Sequence, residues 1–222
     1  MYPKIGVLML DIDITRPHGD IGNPGTFPFL VQYKKIKGAS IQRVVHDGDP
    51  RLIDPFIKGI KEMQGQGVKA VTTSCGFLSL FQKEISLQVE IPFYSSSLMQ
   101  IPLVHSIVGG PIGVLTATKS SLTRKHFEAV CAAHIPVFVE GMEAMPAFRN
   151  AILEESSKYN SQTIEREMVM QALTLKQNHP EIKAYVFECT NMPPYRESVK
   201  KATGLPVFDI VTLTKYVYES LP

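Results

Sequence analysis

Three short apolar segments of this chain each occur twice. Ile5-Gly-Val-Leu-Met-Leu10 returns as Ile112-Gly-Val-Leu-Thr-Ala117, Val68-Lys-Ala70 as Ile182-Lys-Ala184, and Ile91-Pro-Phe-Tyr94 as Leu205-Pro-Val-Phe208. The offsets are 107, 114 and 114 residues, in the same order. Any single match could arise by chance, but three in register imply a duplicated lobe. A length of 222 residues suits two lobes of roughly 100 residues each. The repeat places them at 1–100 and 101–222, with part of the C-terminal tail expected to pack on the first.

Within each lobe short apolar runs alternate with amphipathic stretches, the pattern of strand–helix–strand units. The runs predict strands over about 4–10, 41–46, 69–74 and 92–95, then 111–116, 136–139, 184–188 and 206–209. They are apolar nearly throughout, as parallel strands covered on both faces are. Helical spacing is read over 51–64, 120–133, 161–177 and 211–220, the first opened by Asp49-Pro50. The fold class is therefore α/β: two pseudo-symmetric parallel-sheet lobes with the active site in the cleft between them. Residues 11–29, rich in Gly and Pro, form a loop long enough to imply function. Residues 140–147 read as a lobe-joining or active-site loop.

Composition excludes several classes. The net charge is +2 and the Lys and Arg are scattered, so the basic stripe that phosphate-backbone binding requires is missing and no nucleic-acid partner is expected. The apolar run from Ile5 ends at Asp11 and Asp13; it reads as a buried strand rather than a signal peptide or membrane span. Three cysteines without close spacing argue against a disulfide framework and for a reducing, cytoplasmic setting. No spacing of His, Asp and Cys suits a metal and no Gly-rich phosphate loop is present, so no cofactor is expected.

Two of those cysteines hold matching repeat positions. Cys75 follows the strand ending near residue 74, and Cys189 follows its counterpart 114 residues later. Ligands of parallel α/β sheets collect at the carboxyl ends of strands. A thiol there also meets the positive end of the next helix. Two thiols facing each other across a cleft suit racemisation, in which one base removes a proton and an acid returns one to the opposite face. An ordinary thiol pKa, roughly 8.5, lies within reach of that task. Either cysteine alone would read as core packing; the matched pair reads as catalytic. Cys131, in an Ala-Val-Cys-Ala-Ala run without a repeat partner, reads as core. His46 reads as a residue that stabilises its loop.

Thr73-Ser-Cys-Gly-Phe77 and Glu188-Cys-Thr-Asn-Met-Pro-Pro194 resemble the two cysteine motifs of the aspartate/glutamate racemase superfamily. The similarity extends to the opening Ile-Gly-Val strand and to Ile112-Gly-Val-Leu-Thr-Ala-Thr118. The resemblance implies two α/β lobes with the site between them and a cofactor-independent amino-acid racemase or epimerase. Cys75 and Cys189 would be the acid/base pair. Ser74, Gly76, Thr116, Thr118 and Thr190 would hold the substrate carboxylate through hydroxyl and backbone N–H groups. The superfamily also includes maleate isomerases, hydantoin racemases and arylmalonate decarboxylases, and these stand as alternatives. A small-carboxylate binder without turnover is an alternative of another class. A homodimer is also implied, although no stretch of the sequence stands out as an interface.

This chain departs from glutamate racemases at informative places. Asp11 follows the first strand where they carry an Asp-Ser pair, and Asn191 replaces a His after the second Cys-Thr. Glu188 would raise the pKa of the thiol beside it unless it points away. In the long loop, which is expected to cover the mouth of the cleft, Arg16 and His18 are candidates to pair with a substrate carboxylate, and an ordinary surface salt bridge explains Arg16 about as well.

Overall fold

The computed structural model describes residues 3–156 and 158–222. Strands β1 (Ile5–Met9), β2 (Val31–Lys35), β3 (Ala70–Thr73) and β4 (Phe93–Tyr94) form one parallel sheet in the order β2-β1-β3-β4. Strands β5 (Ile112–Thr116), β6 (Val137–Gly141), β7 (Ala184–Phe187) and β8 (Val207–Phe208) form a second, in the order β6-β5-β7-β8. The duplication extends to register: Ile5 faces Ala70 in the first sheet as Ile112 faces Ala184 in the second. Parallel neighbours cannot be joined by a tight turn, so the chain crosses over through the long loop between β1 and β2 and through helices elsewhere.

Those helices are α1 (Ile53–Gly65), α2 (Gln82–Ser86), α3 (Ile101–Val108), α4 (Arg124–Ala129), a single turn α5 (Pro146–Phe148), α6 (Ser161–Asn178), α7 (Arg196–Thr203) and α8 (Ile210–Ser220). In α1, Phe56, Ile57, Ile60 and Met63 recur on one face and are buried. A 3-10 turn leads into it, opened by Asp49, whose side chain accepts from Arg51 N. Asn160 caps α6 by accepting from Thr163 N. Asp209 and Thr212 cap each other reciprocally at the start of α8. Ile210 and Val211 of α8 then pack with Ile5, Val7, Ala70 and Tyr94 of the first sheet and with Ile21 and Phe27 of the long loop. Among the described residues no helix is long and apolar enough to cross a membrane.

Two sequence expectations need correction. Residues 41–46 are not a strand but a π-helix (Gln42–His46) and its N-cap Ile41, which bury Val44 and Val45. A short apolar run looks the same in either conformation. The strand position belongs to β2, an edge strand whose residues are only partly buried; its Gln32, Lys34 and Lys35 conceal it from an apolar-run reading. The second correction concerns residues 120–133, where only α4 is helical beyond one turn. Its end is marked by Cys131, in the left-handed region (φ 59°). Ala132 and Ile135 take the buried positions, and the Cys131 thiol is exposed, not core. His46 bonds to Ser121 Oγ at 3.2 Å on the surface, as a residue tying two loops together.

Candidate active site

β3 and β7 end side by side in their respective sheets, and each releases its cysteine at the same step. Cys75, in extended backbone, precedes the 3-10 helix Gly76–Phe81; Cys189 follows β7 and precedes the turn at Met192–Tyr195. Both thiols are buried, 8% and 7% exposed, and both line one cavity of about 30 Å³ between the two halves. Ile41 and Val45 wall it from the first half, Ile152 and Leu153 from the second. Both pairs stand in or beside π-helices, a conformation concentrated at functional sites. The halves are joined there by Thr190 Oγ1 donating to Ser74 O at 2.6 Å.

The electrostatics of the cavity are set by Glu188. It is fully buried, and burial raises its pKa from 4.5 to about 7, against the pull of hydrogen bonds from Thr116 Oγ1 and Ala117 N–H. Burial likewise pushes both thiols well above their ordinary value, and the Glu188 charge pushes each further. Backbone N–H groups that follow each cysteine oppose this rise only in part, Phe77 N–H at Cys75 and Asn191 N–H at Cys189, while Leu78 N–H donates to Cys75 O at 3.2 Å. The Cys189 thiol in turn donates to Asn191 Oδ1 at 3.5 Å. Thiol is thus supported at Cys189, and Cys75 is left as the candidate thiolate.

The residues expected to hold a carboxylate are placed unevenly. Ser74, Gly76 and Thr190 line the cavity. Ser74 Oγ accepts from Leu10 N at 2.9 Å. Thr116 Oγ1 donates to Glu188 Oε2 at 2.9 Å, and a hydroxyl carries one proton. The side chains of Thr116 and Thr190 therefore have none left for a substrate oxygen in this arrangement. Thr118 precedes the turn at Lys119–Ser121 and lies 3.4 Å from Ser120 Oγ, outside the cavity lining.

Three further candidates lie outside the cavity lining. Asp11 is exposed and accepts from Gly38 N at 2.9 Å, because β1 ends before it and the chain turns outward. Arg16 donates to the fully buried Asp20 at 3.0 Å, which keeps its guanidinium engaged inside its own loop. His18 is exposed on that loop. The residues that reach the site from this region went unread in the sequence. Asp20 Oδ2 accepts from Asn191 Nδ2 at 2.7 Å, so the long loop braces the residue that contacts Cys189. Glu188 stood beside Cys189 in the sequence, but its sharing a cavity with Cys75 as well depends on the two halves meeting.

No protein-family model matches the chain. Over 95% of its length it is 30% identical to a dimethylsulfoniopropionate lyase of Durusdinium sp. clade D, spanning 72% of that protein. It is also 30% identical to dimethylsulfoniopropionate lyase 7 of Emiliania huxleyi, of which it spans 65%, just under two thirds. Among solved structures, an arylmalonate decarboxylase variant matches at TM-score 0.60 and 14% identity, over 92% of this chain and 87% of that one. A glutamate racemase of Bacillus anthracis matches at 0.60 and 15%, over 99% and 83%. A putative Asp/Glu racemase of Yersinia pestis matches at 0.61 and 14%, over 94% of both. The fold is shared with arylmalonate decarboxylase and with these racemases. The racemase activity expected from the cysteine motifs is corrected by the sequence relatives, which are lyases. At 14–15% identity the racemases share the fold and no more.

Proposed function

This chain belongs to the dimethylsulfoniopropionate lyase family, and from that premise we propose that it cleaves dimethylsulfoniopropionate to dimethyl sulfide and acrylate by β-elimination. A sulfonium on the third carbon of a propionate is a good leaving group, and elimination requires a base at the carbon next to the carboxylate. A thiolate takes that proton and becomes a thiol. The C–H electron pair forms the C2–C3 double bond, and the C3–S pair leaves with dimethyl sulfide. Charge balances, since a zwitterion and a thiolate give a carboxylate, a neutral sulfide and a thiol. The thiol must then lose its proton before the next turnover. The reaction as written uses no cofactor.

One observation carries this reading: two buried thiols at matching strand ends open into the same apolar-walled cavity. Cys75 is taken as the base because its thiol makes no side-chain hydrogen bond among the described residues, whereas the Cys189 thiol donates to Asn191 Oδ1. Cys189, hydrogen-bonded as a thiol to Asn191, closes the opposite side and is the second proton carrier. A cavity of about 30 Å³ holds little more than a water, so Ile41, Val45, Ile152 and Leu153 must part to admit substrate and then shield the reaction from solvent.

The test is headspace measurement of dimethyl sulfide together with proton NMR of acrylate, from purified protein and dimethylsulfoniopropionate. Equimolar products, with dimethyl sulfide lost in Cys75→Ser, are expected. No dimethyl sulfide from the unmodified protein would overturn the reading.

A further inference from the structure

Among the described residues lining the cavity, Glu188 alone carries a carboxylate, and no Lys, Arg or His is present. Its two oxygens are treated differently. Oε2 accepts from Thr116 Oγ1 at 2.9 Å. Oε1 is fully buried and has no hydrogen-bond partner among the described residues. A buried acceptor without a partner is costly, and a charged one more so. Ile41, Val45, Ile152 and Leu153 supply no donor, and none of the polar groups in the lining is bonded to this oxygen.

We propose that Glu188 is the cation subsite of this cavity, its free oxygen facing a fixed positive centre such as a sulfonium while the aliphatic walls take the methyl groups. The proposal rests on the lyase reading and names the residue by which that site selects its substrate. A sulfonium cannot shed its charge by losing a proton, so in an apolar cavity it requires a carboxylate partner. The substrate's own carboxylate is turned away from Glu188 by repulsion. A consequence for the thiols follows. After burial itself, the Glu188 charge is what most raises both of them. A bound cation offsets that charge and releases the thiols toward thiolate, whereas a neutral molecule of the same shape does not. Selection and activation are then one electrostatic event.

The decisive experiment uses two unreactive molecules of equal shape, 3-(trimethylammonio)propanoate and 4,4-dimethylpentanoate, which differ in one positive charge. Their affinities are measured by calorimetry for the full chain and for Glu188→Gln. The full chain is expected to favour the ammonium compound by about tenfold or more, the size of effect seen when one partner of a desolvated charge pair is removed. Glu188→Gln is expected to abolish that preference while holding the tert-butyl analogue at least as well; a preference unchanged in the variant overturns the proposal. If the variant does not fold, the unmodified chain decides alone: the ratio of ammonium to tert-butyl affinity must rise with pH as Glu188 ionises. The groups facing it that also titrate are Cys75 and Cys189, both well above this range, and a flat ratio overturns the proposal. Dimethyl sulfide release by the unmodified chain reports separately on the lyase reading, so either conclusion can fail without the other.

Discussion

Glu188 lies hard against Gly76: its carboxylate and its backbone carbonyl occupy the space that a Cβ at residue 76 would need. In the repeat, residue 76 corresponds to Thr190 and residue 188 to Ser74, each 114 positions apart. The two halves therefore share strand order and register but part company beside the thiols. One half omits a side chain at 76, and the other fills that space with a carboxylate. The pseudo-symmetry of the fold stops where the chemistry begins.

Gly76→Ala tests this fit. The added methyl meets backbone and carboxylate together, so repacking cannot absorb it. A loss of about 1–3 kcal/mol of stability, the usual cost of overpacking, is expected in urea unfolding. Dimethyl sulfide release should fall by at least about tenfold, because Glu188 and Cys75 shift with it. A variant with unaltered stability and rate would show that Glu188 does not fill that space in solution.

Stability should fall as the solution is brought from acid toward neutrality. Burial raises Glu188 from 4.5 to about 7, so the folded chain binds more protons than the unfolded chain between those values. The contribution is fully present below the unfolded pKa and is lost as pH rises through the folded one. A shift of this size corresponds to about 3 kcal/mol. Glu188→Gln should lose this part of the pH dependence, read from urea midpoints between pH 4.5 and 8, and retention of the full slope in the variant would assign it elsewhere.

The cysteines should separate by reactivity. Cys131 is exposed whereas Cys75 and Cys189 are buried with raised pKa values. Iodoacetamide at neutral pH should therefore label Cys131 first, by peptide mass spectrometry, and leave dimethyl sulfide release intact. Labelling of Cys75 or Cys189 ahead of Cys131 would mean that the cavity opens freely in solution.

Arg16 should matter for stability rather than for substrate affinity. It pairs with buried Asp20, which also accepts from Gly22 N and Asn191 Nδ2. Arg16→Ala is expected to cost about 1–3 kcal/mol, a breaking cost reduced because the guanidinium is partly exposed. Hydrogen exchange should accelerate across residues 16–26 while KM changes by less than about threefold. A large rise in KM with unchanged exchange would return Arg16 to the role of carboxylate ligand.

The matched cysteines, the duplicated sheets and the helices over 53–65, 161–178 and 210–220 were legible because each is written in local periodicity or in a fixed repeat offset. The edge strand β2 was not, since an edge strand lies partly in solvent and needs no continuous apolar run. The π-helix at 42–46 was read as a strand because its apolar residues are too few to reveal their period. The chemistry of the cleft was harder still. Asp20 meets Asn191 across 171 positions and Thr116 meets Glu188 across 72, so both contacts exist only in the folded chain.

By itself the sequence determined that two parallel-sheet lobes would form and that each would present a thiol at a strand end. Apolar runs of that length are driven out of water wherever the chain places them. What the thiols face was decided by tertiary structure. Whether Glu188 points into solvent or into a closed cavity, and whether Arg16 meets a substrate or Asp20, depends on how the lobes and the long loop close over one another. A charge takes its chemical character from its surroundings, and those surroundings exist only in the folded protein.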